Sequence, residues 1–275
     1  MNQEIKIIKA SGATAPFSSQ KLRKSLRRSG ADESVIEEVA REIESHLHEG
    51  MTTKKIYQLA FRLLRKTQTL AASKYRLKKA IMELGPSGYP FEKYISEIFK
   101  AQGHSVQINL IMKGRCVNHE VDVLTEKDNV QKVIECKYHN FQGTICDVKV
   151  PLYIHARFKD INEAMPENKK QEGWVVTNTR FSGDAIQYGN CAGLHLLGWD
   201  FPEGKGLREI IGQGGLYPIT CLTTLTQKDK VNLMKAGIVL CSEISTNKKL
   251  LNKMGIPSQR IEAILNEASG LVSRV

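Results

Sequence analysis

Three residues of this chain have types and spacing that suit phosphate chemistry. Asp122 lies between Val121 and Val123, and Glu135 and Lys137 flank Cys136 in the run Ile134-Glu135-Cys136-Lys137. Side chains alternate along an extended strand, so Glu135 and Lys137 leave one face while Ile134 and Cys136 leave the other. A charged group on an otherwise apolar strand is costly unless it is paired, hydrated or metal-bound. If the two segments pair as a hairpin, Asp122 and Glu135 come together, and a divalent cation relieves their repulsion. Oxygen donors suit magnesium or manganese better than zinc. Such an ion would polarise a phosphodiester and lower the pKa of its water. Lys137 would orient that water or offset charge in the transition state. The carbonyl of Cys136, between the two functional side chains, is a further candidate ligand.

Other residues stand close by in sequence. Glu120 shares a strand face with Asp122 on simple alternation and is an alternative ligand, although the apolar flanks favour Asp122. His119 and His139 read as satisfied or solvated histidines. Asp147 and Lys149 are candidates for the outer part of the site, and Arg180 for a phosphate contact or an ordinary surface role. Gly212-Gln213-Gly214-Gly215 lacks the Lys-Ser/Thr of a P-loop and reads as a linker. His46-Leu47-His48-Glu49 has no second ligand cluster at zinc spacing and reads as a solvated helix end.

The elements that must position these residues run from 86 to 212. The turn-forming stretch Gly85-Pro86-Ser87-Gly88-Tyr89-Pro90 marks a boundary. An amphipathic helix over Phe91 to Gln102 follows, with Phe91, Tyr94, Ile95, Ile98 and Phe99 on its buried face and Glu92 in its first turn. Strands are predicted over Ser105–Met112, Val117–Leu124 and Lys132–Tyr138, the last two joined by the polar turn Glu126-Lys127-Asp128-Asn129. A helix around Asp147–Phe158 tolerates Pro151 near its start. A buried strand over Gly173–Thr177, a short helix over Ser182–Tyr188 and a last strand over Leu194–Trp199 complete a mixed sheet covered by helices.

Asp122, Glu135 and Lys137 on the second and third strands, in an α-β-β-β-α-β order, resemble the PD-(D/E)xK nuclease superfamily. The branch it is most similar to contains restriction endonucleases that act on modified DNA. In that family the opening helix often carries a glutamate after a phenylalanine, here Phe91-Glu92, so the resemblance implies that Glu92 supports the metal through water. The proline of the family name is absent before Asp122.

Residues 1–85 read as a separate unit. A strand over Ile5–Lys9 and a turn at Ser11-Gly12 precede a basic helix over Gln20–Arg28 capped by Ser18 or Ser19. Helices over Glu33–His48 and from Thr52-Thr53 onward follow, each with an apolar stripe, and a fourth runs over Thr69–Met82. The Lys9…Gly12, Pro16-Phe17-x-x-x-Lys21-Leu22, Thr53-x-x-Ile56 and Tyr75-Arg76-x-x-Lys79 signatures resemble an ATP-cone, a regulatory module that binds ATP or dATP. That resemblance implies that Lys9 and Lys21 meet the phosphates and that Thr53 and Tyr57 lie near the base. Two positions depart from the family: Ala10 stands where arginine is usual, and Ala15 where an acid is common.

Residues 213–275 read as helical. Leu233-Met234-Lys235-Ala236-Gly237-Ile238 is echoed by Leu251-Asn252-Lys253-Met254-Gly255-Ile256, each a helix end, a glycine turn and an apolar re-entry. The echo resembles helix-hairpin-helix modules, which offer backbone N–H groups and lysines to DNA phosphates.

Charge supports this division. Residues 1–85 carry 17 Lys/Arg against 9 Asp/Glu, the middle 15 against 16, and the last segment 8 against 4, within a net charge of +11. A near-neutral middle flanked by basic segments suits an acidic site held against a polyanion. The six cysteines form no CxxC pair, which argues against a zinc site or a disulfide framework and for reduced thiols in the cytoplasm. No apolar run approaches the ~20 residues of a membrane helix.

The sequence thus predicts a mixed α+β chain of three parts: 1–85, an ATP-cone; 86–212, a restriction-endonuclease-like core; and 213–275, a helical DNA-binding domain. The expected activity is cation-dependent DNA cleavage, with ATP or dATP as regulator and a homo-oligomer supplying a second active site for double-strand breaks. A non-catalytic, nucleotide-sensing DNA-binding regulator is the rival expectation, and a nuclease for RNA or branched DNA a third.

Overall fold

The computed structural model describes residues 5–165 and 170–272. The first few and last three residues of the expected outer domains therefore lie outside the described residues.

The N-terminal unit opens with a small antiparallel hairpin, β1 (Lys6–Ile8) and β2 (Thr14–Pro16). The second of these strands has no counterpart in the sequence reading, because three residues are too few to show a period of two. Helix α1 (Ser19–Arg28) starts where Ser18 accepts a hydrogen bond from the Lys21 amide, and α3 (Thr53–Thr67) where Thr52 accepts from the Lys55 amide. Between them lies α2 (Glu33–Ser45). The expected long fourth helix is two, α4 (Thr69–Tyr75) and α5 (Leu77–Met82), separated at Arg76, whose ψ of 4° leaves helical geometry. Leu26, Ile36, Ile43, Ala60, Leu64 and Ala72 fill a core of the unit's own.

The second unit begins with α6 (Tyr89–Ala101). It leads into β3 (Ser105–Lys113), β4 (Asn118–Lys127) and β5 (Val130–Lys137), an antiparallel meander. Asp128 and Asn129 turn β4 into β5 with φ of 52° and 61°, the paired left-handed conformation that a two-residue hairpin loop requires and that these residue types tolerate. Short β6 (Ile145–Cys146) precedes α7 (Lys149–Glu163), β7 (Lys170–Thr177), β8 (Arg180–Phe181), α8 (Gly183–Cys191) and β9 (His195–Leu197). The main sheet has the order β3-β4-β5-β7-β9, with β7 and β9 parallel to β5, while β6 and β8 form a separate ribbon. The core against α6 contains Phe91, Ile95, Val123 and Ile134, and that against α7 contains Val121, Val133 and Ile161.

The glycine-rich stretch expected to be a linker is instead the end of α9 (Leu207–Gly214), closed by Gly215 in the left-handed conformation. Beyond it lie α10 (Gln227–Lys235), α11 (Lys248–Lys253) and α12 (Ser258–Val272), with short 3-10 turns between α9 and α11. The echoed sequences give equivalent helix ends. Gly237 and Gly255 have φ of 78° and 74°, and Ile238 and Ile256 donate back to the carbonyls of Leu233 and Leu251 at 3.0 and 3.3 Å. This C-terminal region is not an appendage. Its Leu233, Ile244, Ile261 and Ile264 belong to the same continuous core as Ile81, Phe91 and Ile134.

Candidate active site

The β3, β4 and β5 strands change character at one level. Ile108 and Val123 pack toward α6, whereas Leu110 and Val121 pack toward α7, although each pair is separated by only two residues. Strict alternation would place each pair on a single face. The reversal occurs at Asn109 and Asp122, which stand opposite each other in the antiparallel register. Asn109 has φ of 51°, a left-handed conformation that asparagine adopts more readily than most residues. The alternation that placed Glu120 beside Asp122 does not continue through this point.

The β4–β5 ladder ends at Val123↔Ile134. One step further, the Asp122 carboxylate takes the place of a backbone acceptor: Oδ2 accepts the Cys136 N–H at 2.7 Å. Asp122 is thus anchored to the strand that carries Glu135 and Lys137. Cys136 points into the core, and burial pushes its thiol well above the usual range, so only its backbone faces the site.

Glu135 is half-buried on the α7 face, where Arg157 Nη1 donates to its Oε2 at 2.9 Å. The other Arg157 nitrogen donates to the Glu120 carbonyl. Burial, followed by the negative charge of Asp122, pushes the Glu135 carboxyl up to about 7. Glu92 behaves similarly: burial first, then Asp122, Glu135 and Glu120, push it up to about 7. Gly88 leaves room for it, since a Cβ there would fall 2.8 Å from Glu92 Oε1. Asp122 is raised chiefly by burial, against the favourable effects of the Cys136 amide, Arg157 and Lys137. Lys137 itself is exposed at the strand end.

Asp122, Glu135, Lys137 and Glu92 therefore share one electrostatic neighbourhood. Among the described residues, no three His, Cys, Asp or Glu side chains converge as a finished metal cage. An oxygen of Asp122 is engaged by an amide and one of Glu135 by a guanidinium. The donor set still fits a hard divalent cation, because burial raises the proton affinity of all three carboxyls, Asp122 raises that of Glu92 and Glu135 further, and Arg157 supplies only part of the compensating charge.

Arg157 was not singled out from sequence. On α7 the expected contributors were Asp147 and Lys149, but the Asp147 carboxylate accepts from the Lys149 amide at 3.0 Å before the helix starts. The available signal was helical spacing: Arg157 follows Ile154 by three residues and precedes Ile161 by four, on the stripe that packs against the sheet. Arg180 pairs with Asp200 at 3.1 Å. His119 is satisfied by Asp160 at 2.7 Å. His139 departs from expectation: its Nε2 is buried without a partner, and burial lowers its pKa. His46 and His48 are at the exposed end of α2 or just beyond it.

In the N-terminal unit, Lys9, Lys21, Thr53 and Tyr57 all line one cavity of about 500 Å³, with Phe17 and Tyr75. Tyr57 and Tyr75 stack at 5.4 Å between centroids and 9° between planes. Ala15 also lines the cavity, so the residue that replaces the expected acid borders the binding space. The Ala10 backbone instead approaches the second unit: a Cβ on Gly143 would lie 3.8 Å from the Ala10 carbonyl.

Further contacts tie this unit to the strand of Glu135 and Lys137. Tyr138 donates its hydroxyl to the Met82 carbonyl at 2.6 Å. Asn178 holds the His139 backbone at both ends, at 2.8 and 2.9 Å, and its own carbonyl accepts from Lys78 Nζ at 2.8 Å. These contacts involve the residues immediately after Lys137.

Residues 5–82 match the ATP cone domain family, residues 85–201 the restriction endonuclease family, and residues 217–272 the AF1548-like C-terminal family. An uncharacterized protein of Archaeoglobus fulgidus is 31% identical over 179 residues, 65% of this chain and 99% of that protein. The chain belongs to the AF1548-like family. The crystal structure of AF1548, described as a protein of unknown function, superposes with a TM-score of 0.57 at 30% identity, covering 68% of this chain and 98% of AF1548. Can2 from Sulfobacillus thermosulfidooxidans, solved with cyclic tetra-adenylate, aligns over 73% of this chain and 63% of its own at 14% identity. Its TM-score of 0.35 is too low to bear on this AF1548-like chain. The family matches bear out the ATP-cone joined to a restriction-endonuclease-like domain, and with them the mixed α+β class with a helical C-terminal region.

Proposed function

We propose that this chain is a divalent-cation-dependent endonuclease acting on DNA, with its activity set by ATP or dATP in the N-terminal cone. The observation that carries the reading is the Asp122 carboxylate locked onto the Cys136 amide, at the end of the strand that presents Glu135 and Lys137. Asp122, Glu135 and the Cys136 carbonyl would hold magnesium or manganese, with Glu92 supporting the ion through water. A bound cation would supply Lewis-acid polarisation of the phosphodiester and a more acidic water. Lys137 would orient that water and balance charge on the transition state without covalent attachment. Arg157, now on Glu135, would withdraw or rotate to free an oxygen.

The domain limits 1–85, 86–212 and 213–275 belong to this reading, with the last segment as an auxiliary DNA contact. Two of its cations are turned inward, since Lys230 donates to the Thr220 carbonyl at 2.9 Å and Arg260 to Asp229. Any such contact would fall to the exposed lysines. Among the described residues no helix is long and apolar enough to cross a membrane, and all six cysteines are free. We take the thiols to indicate a cytoplasmic protein.

The test is cleavage of plasmid and modified genomic DNA in magnesium or manganese, comparing wild type with folded Asp122→Ala and Lys137→Ala variants. Wild-type cleavage falling at least about a hundredfold in both variants is expected, given the usual weight of such groups. One observation favours the rival regulator: the cation on Glu135 is already a guanidinium. Tight DNA binding by all three proteins without cleavage would select that rival.

A further inference from the structure

A second cavity, of about 230 Å³, opens where the cone meets the endonuclease unit, and it belongs to neither site above. Arg28, Lys74 and Lys78 enter it from the cone, and Arg208 from α9. The rest of the lining is uncharged, serines, aromatics, Leu77 and Gly212, with no carboxylate-bearing residue. Among the described residues, neither Arg28 nor Lys74 has a carboxylate within ion-pair reach; Arg208 is paired with the adjacent Glu209 at 2.5 Å. Lys78 lies 4.3 Å above the Trp199 ring, and its Nζ has a backbone carbonyl of Asn178 as hydrogen-bond partner. Arg28, Lys74 and Lys78 thus converge on a lining that holds no carboxylate, with Asp200 acting on Lys78 from outside it, an arrangement that favours an anion.

The geometry points to a binding site for a phosphate or pyrophosphate group in this cavity, held by Arg28, Lys74 and Lys78. Size restricts the ligand. The cavity has several times the ~30 Å³ a water occupies in the liquid, yet falls below the ~300 Å³ at which pockets enclose a drug-sized molecule. A phosphoryl group or two fits within it. Ser25 and Tyr75 line both this cavity and the cone cavity, so the group could be free or the phosphate tail of a nucleotide seated next door. The inference does not depend on nuclease activity.

Protonation gives an additional readout. Burial, with Arg180 and Arg208 nearby, lowers the Lys78 pKa to about 7, against the opposing effect of Asp200. An anion favours the charged ammonium, so binding above about pH 7 takes up a proton.

The experiment uses the full chain with Trp174→Phe, leaving Trp199 as the sole tryptophan of the two in the sequence. Pyrophosphate is titrated at physiological ionic strength, followed by Trp199 fluorescence and by calorimetry in buffers of differing ionisation enthalpy. Saturable one-site binding with proton uptake is expected. It should weaken at least tenfold in an Arg28→Ala, Lys74→Ala variant and persist in a Lys9→Ala, Lys21→Ala variant. ATP that displaces pyrophosphate only when Lys9 and Lys21 are intact identifies a nucleotide tail; ATP that does not displace it identifies a free ligand. No saturation at millimolar pyrophosphate, or binding that survives loss of Arg28 and Lys74, overturns the proposal.

Discussion

At the scale of single residues, the candidate site is a group of acids held at unfavourable proton affinities. Glu92 and Glu135 are pushed up from the ordinary 4.5 to about 7. A folded state that binds protons more tightly than the unfolded chain gains stability at low pH and loses it as pH rises through about 7. Glu92→Gln should therefore stabilise the cation-free protein near pH 8 by on the order of 1 kcal/mol, allowing for solvent screening of a half-buried group, and do little near pH 5. Thermal melts at the two pH values check this; equal shifts at both would remove the electrostatic argument. The same acids must lose protons to hold a cation, so divalent affinity should fall as pH drops below about 7. Arg157→Met, which frees Glu135, should raise manganese affinity several-fold by calorimetry while costing roughly 1–3 kcal/mol of stability through the lost charged hydrogen bonds.

At the scale of elements, the residues that could be read from sequence are those whose local pattern repeats. Capping serines and threonines, the Asp128-Asn129 turn and the α6 apolar face lie within a residue or two of their expected places. Reading failed where the signal was short or depended on a neighbour: the three-residue β2, the break at Arg76, and α9 running through glycines expected to be a linker. The twin glycine turns offer a test at this scale. Nothing lies within 4 Å of a Cβ at Gly237 or Gly255, so alanine there meets only the backbone cost of a positive φ. Each substitution should cost about 1–2 kcal/mol in urea unfolding. A near-zero cost at both would mean the C-terminal turns relax freely.

At the scale of the whole molecule, the first four helices of the cone have a core of their own, while its α5 joins the endonuclease unit and the C-terminal helices in another. The C-terminal region also reaches the cone: Glu267 on α12 accepts from Ser73 on α4 at 2.5 Å. A nucleotide that shifts the cone against this body would act on Tyr138 and His139, just beyond Lys137. Tyr138→Phe should therefore leave nucleotide-free cleavage largely intact and reduce the ATP response, which for such couplings is typically about 5- to 150-fold. Cleavage rates with and without ATP would show it; an unchanged ATP response would place the coupling elsewhere.

The sequence by itself determined most of the order of elements, the three-part division of charge, and the expectation that Asp122 stands beside Glu135 and Lys137, because periodicity, capping and residue type act over a few positions along the chain. Glu92 entered through the family resemblance. The resemblance to the ATP-cone grouped Lys9, Lys21, Thr53 and Tyr57, and these four line one cavity. Only the tertiary structure decided the rest. The face reversal at Asn109 and Asp122 depends on two strands at once, and Arg157 reaches Glu135 across 22 positions of sequence. The cavity between Arg28 and Arg208 arises from packing two units together. Charges distant in sequence acquire a common purpose only when folding removes the water between them, and no local pattern records that event.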